Sequence, residues 1–247
     1  MEWAIGYWHI SIQRVYPTSN QLIQSYNRAA SGWHRRIRWL GYTHAYRQLF
    51  RMLQQAGILT LKDNSTVCDC GIGTAAFSLA LAQTTDVRLH LTGVDMAPAM
   101  LQTADAHLDQ AGIHAQLCHR DVCDLPFKTG EFELVISAHM LEHLSAPIAG
   151  LQEMVRIARP GALLILAVSR PGLLGSWIQL HWGNNCFNAK TLTRLMKQAG
   201  LTQIRVYPFQ SGLARWTSLA YVGVKPSSGN LNPLLDTQIA NSESTAS

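Results

Sequence analysis

The sequence predicts a doubly wound α/β fold: seven strands in a mostly parallel sheet, closed at one edge by an antiparallel hairpin. Three observations carry this. From Thr66 onward, strand-like and helix-like segments alternate regularly. The run 162–168 is wholly apolar, as a central parallel strand covered on both faces should be. The last two strand-like segments follow one another with no helix between them, which only an antiparallel pair allows over so short a connection.

The elements follow in chain order. Pro17-Thr18-Ser19-Asn20 is a turn or capping cluster, and Leu22, Ile23 and Tyr26 then recur at helical spacing. A second helical stretch carries Tyr46, Leu49, Phe50 and Leu53 and stops at Gly57. Residues 17–57 are therefore expected to be helical, and 1–60 to form an N-terminal helical segment. Strands are expected at 66–69, 87–94, 115–119, 132–137, 162–168, 202–207 and 216–224. Helices are expected at 74–83, 98–109 and 149–157. A further helix should start at Asn188 as N-cap, run through Leu192, Leu195 and Met196, and end at Gly200. Residues 61–225 would form the main domain. The segment 226–247 is rich in Ser, Asn, Thr and Pro and reads as a disordered tail.

Composition narrows the classes. The chain has 247 residues, 47% of them apolar, enough for a sizeable core. Its longest clean apolar run falls far short of the roughly 20 residues that a membrane span requires. The first residues show no basic segment followed by an apolar one, so no secretory leader is expected. The net charge of +5 is mild and permits an anionic partner without demanding one. The densest basic stretch, Trp33-His34-Arg35-Arg36-Ile37-Arg38-Trp39, reads as a solvated helix face or as a peripheral membrane contact. Cys68, Cys70, Cys118, Cys123 and Cys186 are odd in number and lack zinc-finger spacing, which suits free thiols in a reducing cytoplasm. No metal is expected.

The strongest motif is Val67-Cys68-Asp69-Cys70-Gly71-Ile72-Gly73-Thr74-Ala75, where a strand should end in a glycine turn and a helix begin. Gly71 and Gly73 would let the backbone approach a ligand. With Ala76 and Asp95 the spacing also fits a dinucleotide fingerprint, so an NAD(P)-dependent oxidoreductase is the alternative. Asp69 favours the other side. A carboxylate two residues before the first glycine would repel a pyrophosphate but attract the ammonium and sulfonium of S-adenosylmethionine. Asp95 closes the second strand and could accept from two ribose hydroxyls, or simply cap the helix at Pro98. Asp121 follows the third strand and could accept adenine amino protons, or be a turn residue.

Four segments, VCDCGIGTA, LTGVDMAPAML, RDVCDLPFKTGEFELVISAHMLEHL and LQEMVRIARPGALLIL, occur in that order. Through them the chain resembles the class I S-adenosylmethionine methyltransferases, which are Rossmann-like, and within them the group of ubiquinone and menaquinone C-methyltransferases. The resemblance covers roughly residues 26–224. It implies that Asp69, Gly71 and Gly73 surround the methionine end of the cofactor and that Asp95 holds the ribose, with Met96 packing on the adenine. Asp121 and Val122 would bind the adenine edge, and Ser137 to Met140 would pass along the methionine part. It also implies that the segment 1–60 is an N-terminal helical lid, its helices, with Tyr26 and Trp33, covering the site. Two departures are Ala75, where a third glycine is usual and a tighter turn is expected, and Glu133, where an aspartate is common.

His139-Met140-Leu141-Glu142-His143 also matches the H-x-x-E-H pattern of inverted zinc peptidases, whose two histidines share a helix face. Its place after a strand suits the methyltransferase pattern better. His139 is the candidate general base, with His181 and Tyr26 as rivals and a structural role as the plain alternative. Marks of nucleic-acid methylation are missing: no Asn/Asp-Pro-Pro-Tyr/Phe follows the fourth strand, and there is no Pro-Cys pair. The expected partner is a small-molecule acceptor and not nucleic acid. Leu173, Leu174, Trp177, Ile178, Leu180, His181 and Trp182, after the fifth strand, point to a hydrophobic or aromatic one, quinone-, polyketide- or lipid-like.

Overall fold

The computed structural model describes residues 2–5, 8–11, 40–171 and 187–227. The first elements are a strand pair that no spacing in the sequence announced: β1 (Glu2–Ile5) runs antiparallel to β2 (Trp8–Ser11), with Ile5 opposite Trp8. Helix α1 (Tyr42–Gln55) follows. Tyr42, Ala45, Tyr46, Leu49, Phe50 and Leu53 fall on one stripe and are buried, the 3.6-residue period at work. The expected helix around Leu22 to Tyr26 and the basic stretch at Trp33 lie outside the described residues, as does nearly all of the 226–247 tail.

The α/β alternation then proceeds as β3 (Ser65–Cys70), α2 (Ala76–Ala82), β4 (Leu89–Asp95), α3 (Pro98–Gln110), β5 (Ala115–His119), β6 (Phe132–Ala138), α4 (Pro147–Ile157) and β7 (Ala158–Ser169). Then come α5 (Ala189–Gln198), β8 (Thr202–Pro208), the single turn α6 (Ala214–Thr217) and β9 (Ser218–Val224). Asn188 caps α5, its side chain accepting from the Thr191 N–H.

Seven strands form one sheet in the order β5-β4-β3-β6-β7-β9-β8. The first five are parallel, and β9 runs antiparallel to both β7 and β8. Alternate residues feed two cores. Leu134, Ile136, Ile165 and Ala167 face the layer of α1, α2 and α3, with Phe50, Phe77 and Leu108. Val135, Leu164, Leu166 and Val168 face α4 and α5, with Leu151, Met154, Leu192 and Met196. Both faces being covered is why β7 is apolar from Ala162 to Val168.

Several element ends shift by one or two residues from expectation, and two of the differences have a visible cause. Strand β7 begins at Ala158 directly after α4, ahead of Pro160-Gly161, and a register shift between Phe132 and Leu134 absorbs the extra residues. Trp216 and Thr217 belong to α6 and not to the last strand, because Thr217 Oγ1 bonds back to the Leu213 carbonyl and to the Tyr42 hydroxyl. Among the described residues, no helix is long and apolar enough to cross a membrane.

Candidate functional site

Chain order in the sheet reverses between β3 and β6, the switch point where α/β sheets hold ligands beyond the carboxyl ends of their strands. The sequence-predicted residues converge there. Gly71 and Ile72 donate their N–H groups to the Val94 carbonyl, folding the turn over the end of β4. Gly71 has φ 75°, and a Cβ on it would lie 2.3 Å from Met140 Cγ, so this glycine makes room for the segment after β6. Gly73, at φ 53°, meets nothing within 4 Å at its Cβ position and borders open space. Ala75 takes a left-handed conformation (φ 64°) with its methyl fully buried, so the turn keeps the shape a third glycine would give, at a backbone cost of roughly 1–2 kcal/mol.

Asp95 joins two parts of the site. Its Oδ2 accepts from the Gly73 N–H at 2.9 Å and its Oδ1 from the Ala97 N–H at 2.9 Å. The second bond is an Asx turn leading into α3, so Asp95 braces the helix entry and the glycine turn together. Burial pushes its carboxyl up, while the Ala97 and Gly73 amides pull it back. Met96 sits half-buried beside it, and its carbonyl lies 2.9 Å from His119 Nε2.

Asp69 is not at the surface of the turn. It is 1% exposed, its Oδ2 accepts from Ser78 Oγ at 2.6 Å, and its Oδ1 has no hydrogen-bond partner among the described residues. Burial pushes the carboxyl up to about 7, opposed by the Ser78 bond and reinforced by Asp95. Ser78, on the buried face of α2, is a contributor that no spacing rule would find.

Asp121 begins a turn, its Oδ1 accepting from the Cys123 N–H at 2.8 Å. The side chain of Val122 is buried in the second core. A pair that the sequence reading missed holds this loop. On α4, Arg156 binds Glu153 through Nε at 2.7 Å and reaches the carbonyls of Phe127 (2.7 Å) and Leu125 (2.9 Å). Glu153 Oε2 accepts the Leu125 N–H at 3.0 Å. The Arg156 bond, more than any other influence, holds the Glu153 carboxyl below the ordinary range. The i, i+3 acid–base spacing was the one available signal.

At the ends of β6 and β7, the Ser137 hydroxyl donates to the Cys70 carbonyl at 2.6 Å and ties β6 to β3. His139 has φ 55° and its N–H bonds the Ala167 carbonyl. Its Nδ1 lies 3.1 Å from Glu142 Oε1 and 3.1 Å from Ser169 Oγ, and the ring meets Tyr42 edge-on at 5.5 Å. Residues 141–143 form a single 3₁₀ turn, so His139 precedes it and shares no helix face with His143. The zinc-peptidase geometry is therefore absent, and no three His, Cys, Asp or Glu side chains gather as a metal site among the described residues. Glu133, the other departure, pairs with Arg159 on the surface. The four described cysteines are free. Tyr26, His181, Cys186 and the apolar stretch from Leu173 to Trp182 lie outside the described residues.

Residues 67–161 match the methyltransferase-domain family. Among curated proteins, the demethylmenaquinone methyltransferase of Bacillus cytotoxicus is 27% identical over 200 residues, 69% of this chain and 82% of that protein. That of Bacillus velezensis is 25% identical over 186 residues, 64% of this chain and 79% of its own. Two solved structures share the fold. One is a Thermotoga maritima S-adenosylmethionine-dependent methyltransferase with TM-score 0.63 and 18% identity, covering 83% of this chain and 99% of its own. The other is the geranyl diphosphate C-methyltransferase of Streptomyces coelicolor, with TM-score 0.61 and 12% identity, covering 72% of this chain and 79% of its own.

Proposed function

We propose that this protein, a class I S-adenosylmethionine-dependent methyltransferase, transfers its methyl group to a small hydrophobic or aromatic acceptor of the quinone, polyketide or lipid kind. The observation that carries the acceptor class is the likeness to demethylmenaquinone methyltransferases along some two thirds of the chain, 69% for the Bacillus cytotoxicus protein. The apolar and aromatic residues Leu173, Leu174, Trp177, Ile178, Leu180 and Trp182, set in sequence between β7 and α5, support it.

The turn fits the cofactor on three counts. Gly73 borders open space, Asp69 keeps one buried oxygen unpartnered, and Asp95 presents a carboxylate whose remaining lone pairs can accept. In this reading the backbone from Asp69 to Gly73 holds the amino-acid end, with the Asp69 carboxylate answering its positive charge across the turn. Asp95 accepts from the ribose hydroxyls, Met96 packs on the adenine, and Asp121 and the Val122 N–H meet the adenine edge. Ser137 keeps the β6 end in place beside the methionine part. When bound, the cofactor supplies an electrophilic methyl on a sulfonium. The chain aligns the acceptor in line with it and excludes water. His139 takes a proton from an acceptor hydroxyl, enol or amine.

Calorimetry with S-adenosylhomocysteine and NAD(H) in parallel, followed by methyl transfer from labelled S-adenosylmethionine to a short-chain demethylmenaquinone, tests the proposal. Binding of S-adenosylhomocysteine alone, with label appearing in the quinone, is expected. Tight NAD(H) binding without S-adenosylhomocysteine would overturn the cofactor. Cofactor binding with no label in quinone, polyketide or lipid acceptors would overturn the acceptor class.

A further inference from the structure

We infer that Glu142 is a positioning residue for methyl transfer: it fixes the His139 ring in the tautomer whose Nε2 carries the lone pair. The inference rests on the reading of His139 as the group that takes the acceptor's proton.

Two distances set the tautomer. Glu142 Oε1 lies 3.1 Å from His139 Nδ1 and also accepts the Ser169 N–H at 2.6 Å. Glu142 is 2% exposed. Burial pushes its carboxyl up, but the His139 bond, the nearby His139 and His143 rings and the Ser169 amide outweigh burial and hold it below the ordinary range. An ionised carboxylate can only accept, so Nδ1 must be the donor and Nε2 the bare nitrogen. That Nε2 is buried and has no hydrogen-bond partner among the described residues. A buried polar atom without a partner is rare in a folded chain, and here it is an acceptor with its proton still to come.

The surroundings make Glu142 the charge that counts. Tyr42 from α1 packs edge-on against the His139 ring, but its hydroxyl is spent on Thr217 Oγ1 at 2.6 Å, and burial pushes its pKa up. Tyr46 from α1 and Tyr221 from β9 also face Glu142 and are pushed up by burial, Tyr221 to about 12. Burial pushes His143 down, so it too is neutral near pH 7. Ser169, at the end of β7, offers a hydroxyl 3.1 Å from Nδ1 and no charge. The backbone is arranged to the same end: the left-handed conformation of His139 is costly for a residue with a Cβ, and such strain gathers at functional positions.

In the transfer the acceptor atom bonds to the methyl carbon as the carbon–sulfur bond breaks, and that electron pair stays on sulfur. The acceptor's proton passes to Nε2. The imidazolium so formed is paired at once with the Glu142 carboxylate, which has no need to move or to take a proton itself.

The test uses the full chain with S-adenosylhomocysteine, labelled with ¹⁵N-histidine, and reads the imidazole nitrogens by NMR, with His139→Gln to assign the signal. His139 is expected as the Nδ1–H tautomer at neutral pH. Glu142→Gln keeps an accepting oxygen but removes the charge. It should raise the share of the Nε2–H tautomer at His139 and reduce kcat more than KM. Glu142→Asp should restore part of the Nδ1–H population. An Nε2–H tautomer in the wild type, or an unchanged tautomer balance in a folded Glu142→Gln variant, would overturn the inference. If the variant does not fold, the wild-type tautomer still decides. Full activity in His139→Gln would instead sink the proton-acceptor reading and leave the tautomer result standing.

Discussion

Asp95 shows what one side chain is asked to do. Each of its oxygens already accepts a backbone N–H, one from the glycine turn and one from the entry to α3. Asp95→Ala should therefore lower S-adenosylhomocysteine affinity by about 1.5–3 kcal/mol, the usual worth of a hydrogen bond to a charged group, with some loss of melting temperature. Sequence alone suggests that Asp95→Asn is the milder change. The structure argues otherwise, since one face of an amide would set its NH2 against a backbone N–H. Calorimetry on both variants decides the order. Asp69 carries a pH signature. Its folded-state pKa, about 7, stands above that of an unfolded chain, so the ligand-free fold holds this proton more tightly. The stability it contributes is present at low pH and is lost as pH rises toward and through 7. Asp95, also raised, acts with the same sign, whereas the lowered Glu142 and Glu153 act only in more acidic solution. Melting curves of the ligand-free protein between about pH 5 and pH 8 should decline. Asp69→Asn should flatten that decline, and it should abolish a rise in S-adenosylhomocysteine affinity over the same range. A flat wild-type curve would mean that Asp69 is ionised throughout.

At the scale of elements, the loop after β5 depends on a helix from the other half of the sheet. The Glu153–Arg156 pair on α4 holds Leu125 and Phe127 by their backbone, and the turn at Asp121 and Val122 stands just before them. Arg156→Met removes the fork yet keeps an apolar stem. It should cost about 1–2 kcal/mol of stability for partly exposed charged hydrogen bonds. Cofactor affinity should fall as well if this loop meets the adenine edge as proposed, since the loop loses its anchor. Chemical denaturation and calorimetry measure the two separately. Unchanged affinity with reduced stability would make the clamp purely structural. Helix α1 plays a comparable part on the opposite face, where Tyr42 reaches both Thr217 and the His139 ring.

For the whole molecule, ligand and fold share one equilibrium. S-adenosylhomocysteine at about a hundred times its Kd should add roughly 2.7 kcal/mol, which for a chain of this size raises Tm by about 5–11 °C. Chelation should change neither Tm nor methyl transfer, since no three-ligand cluster exists among the described residues. A metal-dependent loss would place a ligand set elsewhere in the chain.

The order of strands and helices was legible because it is written locally. The wholly apolar run 162–168, the glycine turn after Asp69, and the carboxylates at the end of β4 and just past β5 all depend on neighbours a few residues apart. Those signals put Asp69, Gly71, Gly73, Asp95, Asp121 and His139 near one edge of a parallel sheet. What each side chain does there was not legible. The Ser137 hydroxyl is spent on Cys70, 67 residues away, and Arg156 on Phe127, 29 away. Glu142 faces His139 only because residues 141–143 form a 3₁₀ turn while β7 brings Ser169 alongside. Periodicity records which face of an element is buried. It holds no record of which distant group a buried polar atom will meet, because that is fixed only when the two cores close on the sheet and every buried donor must find an acceptor.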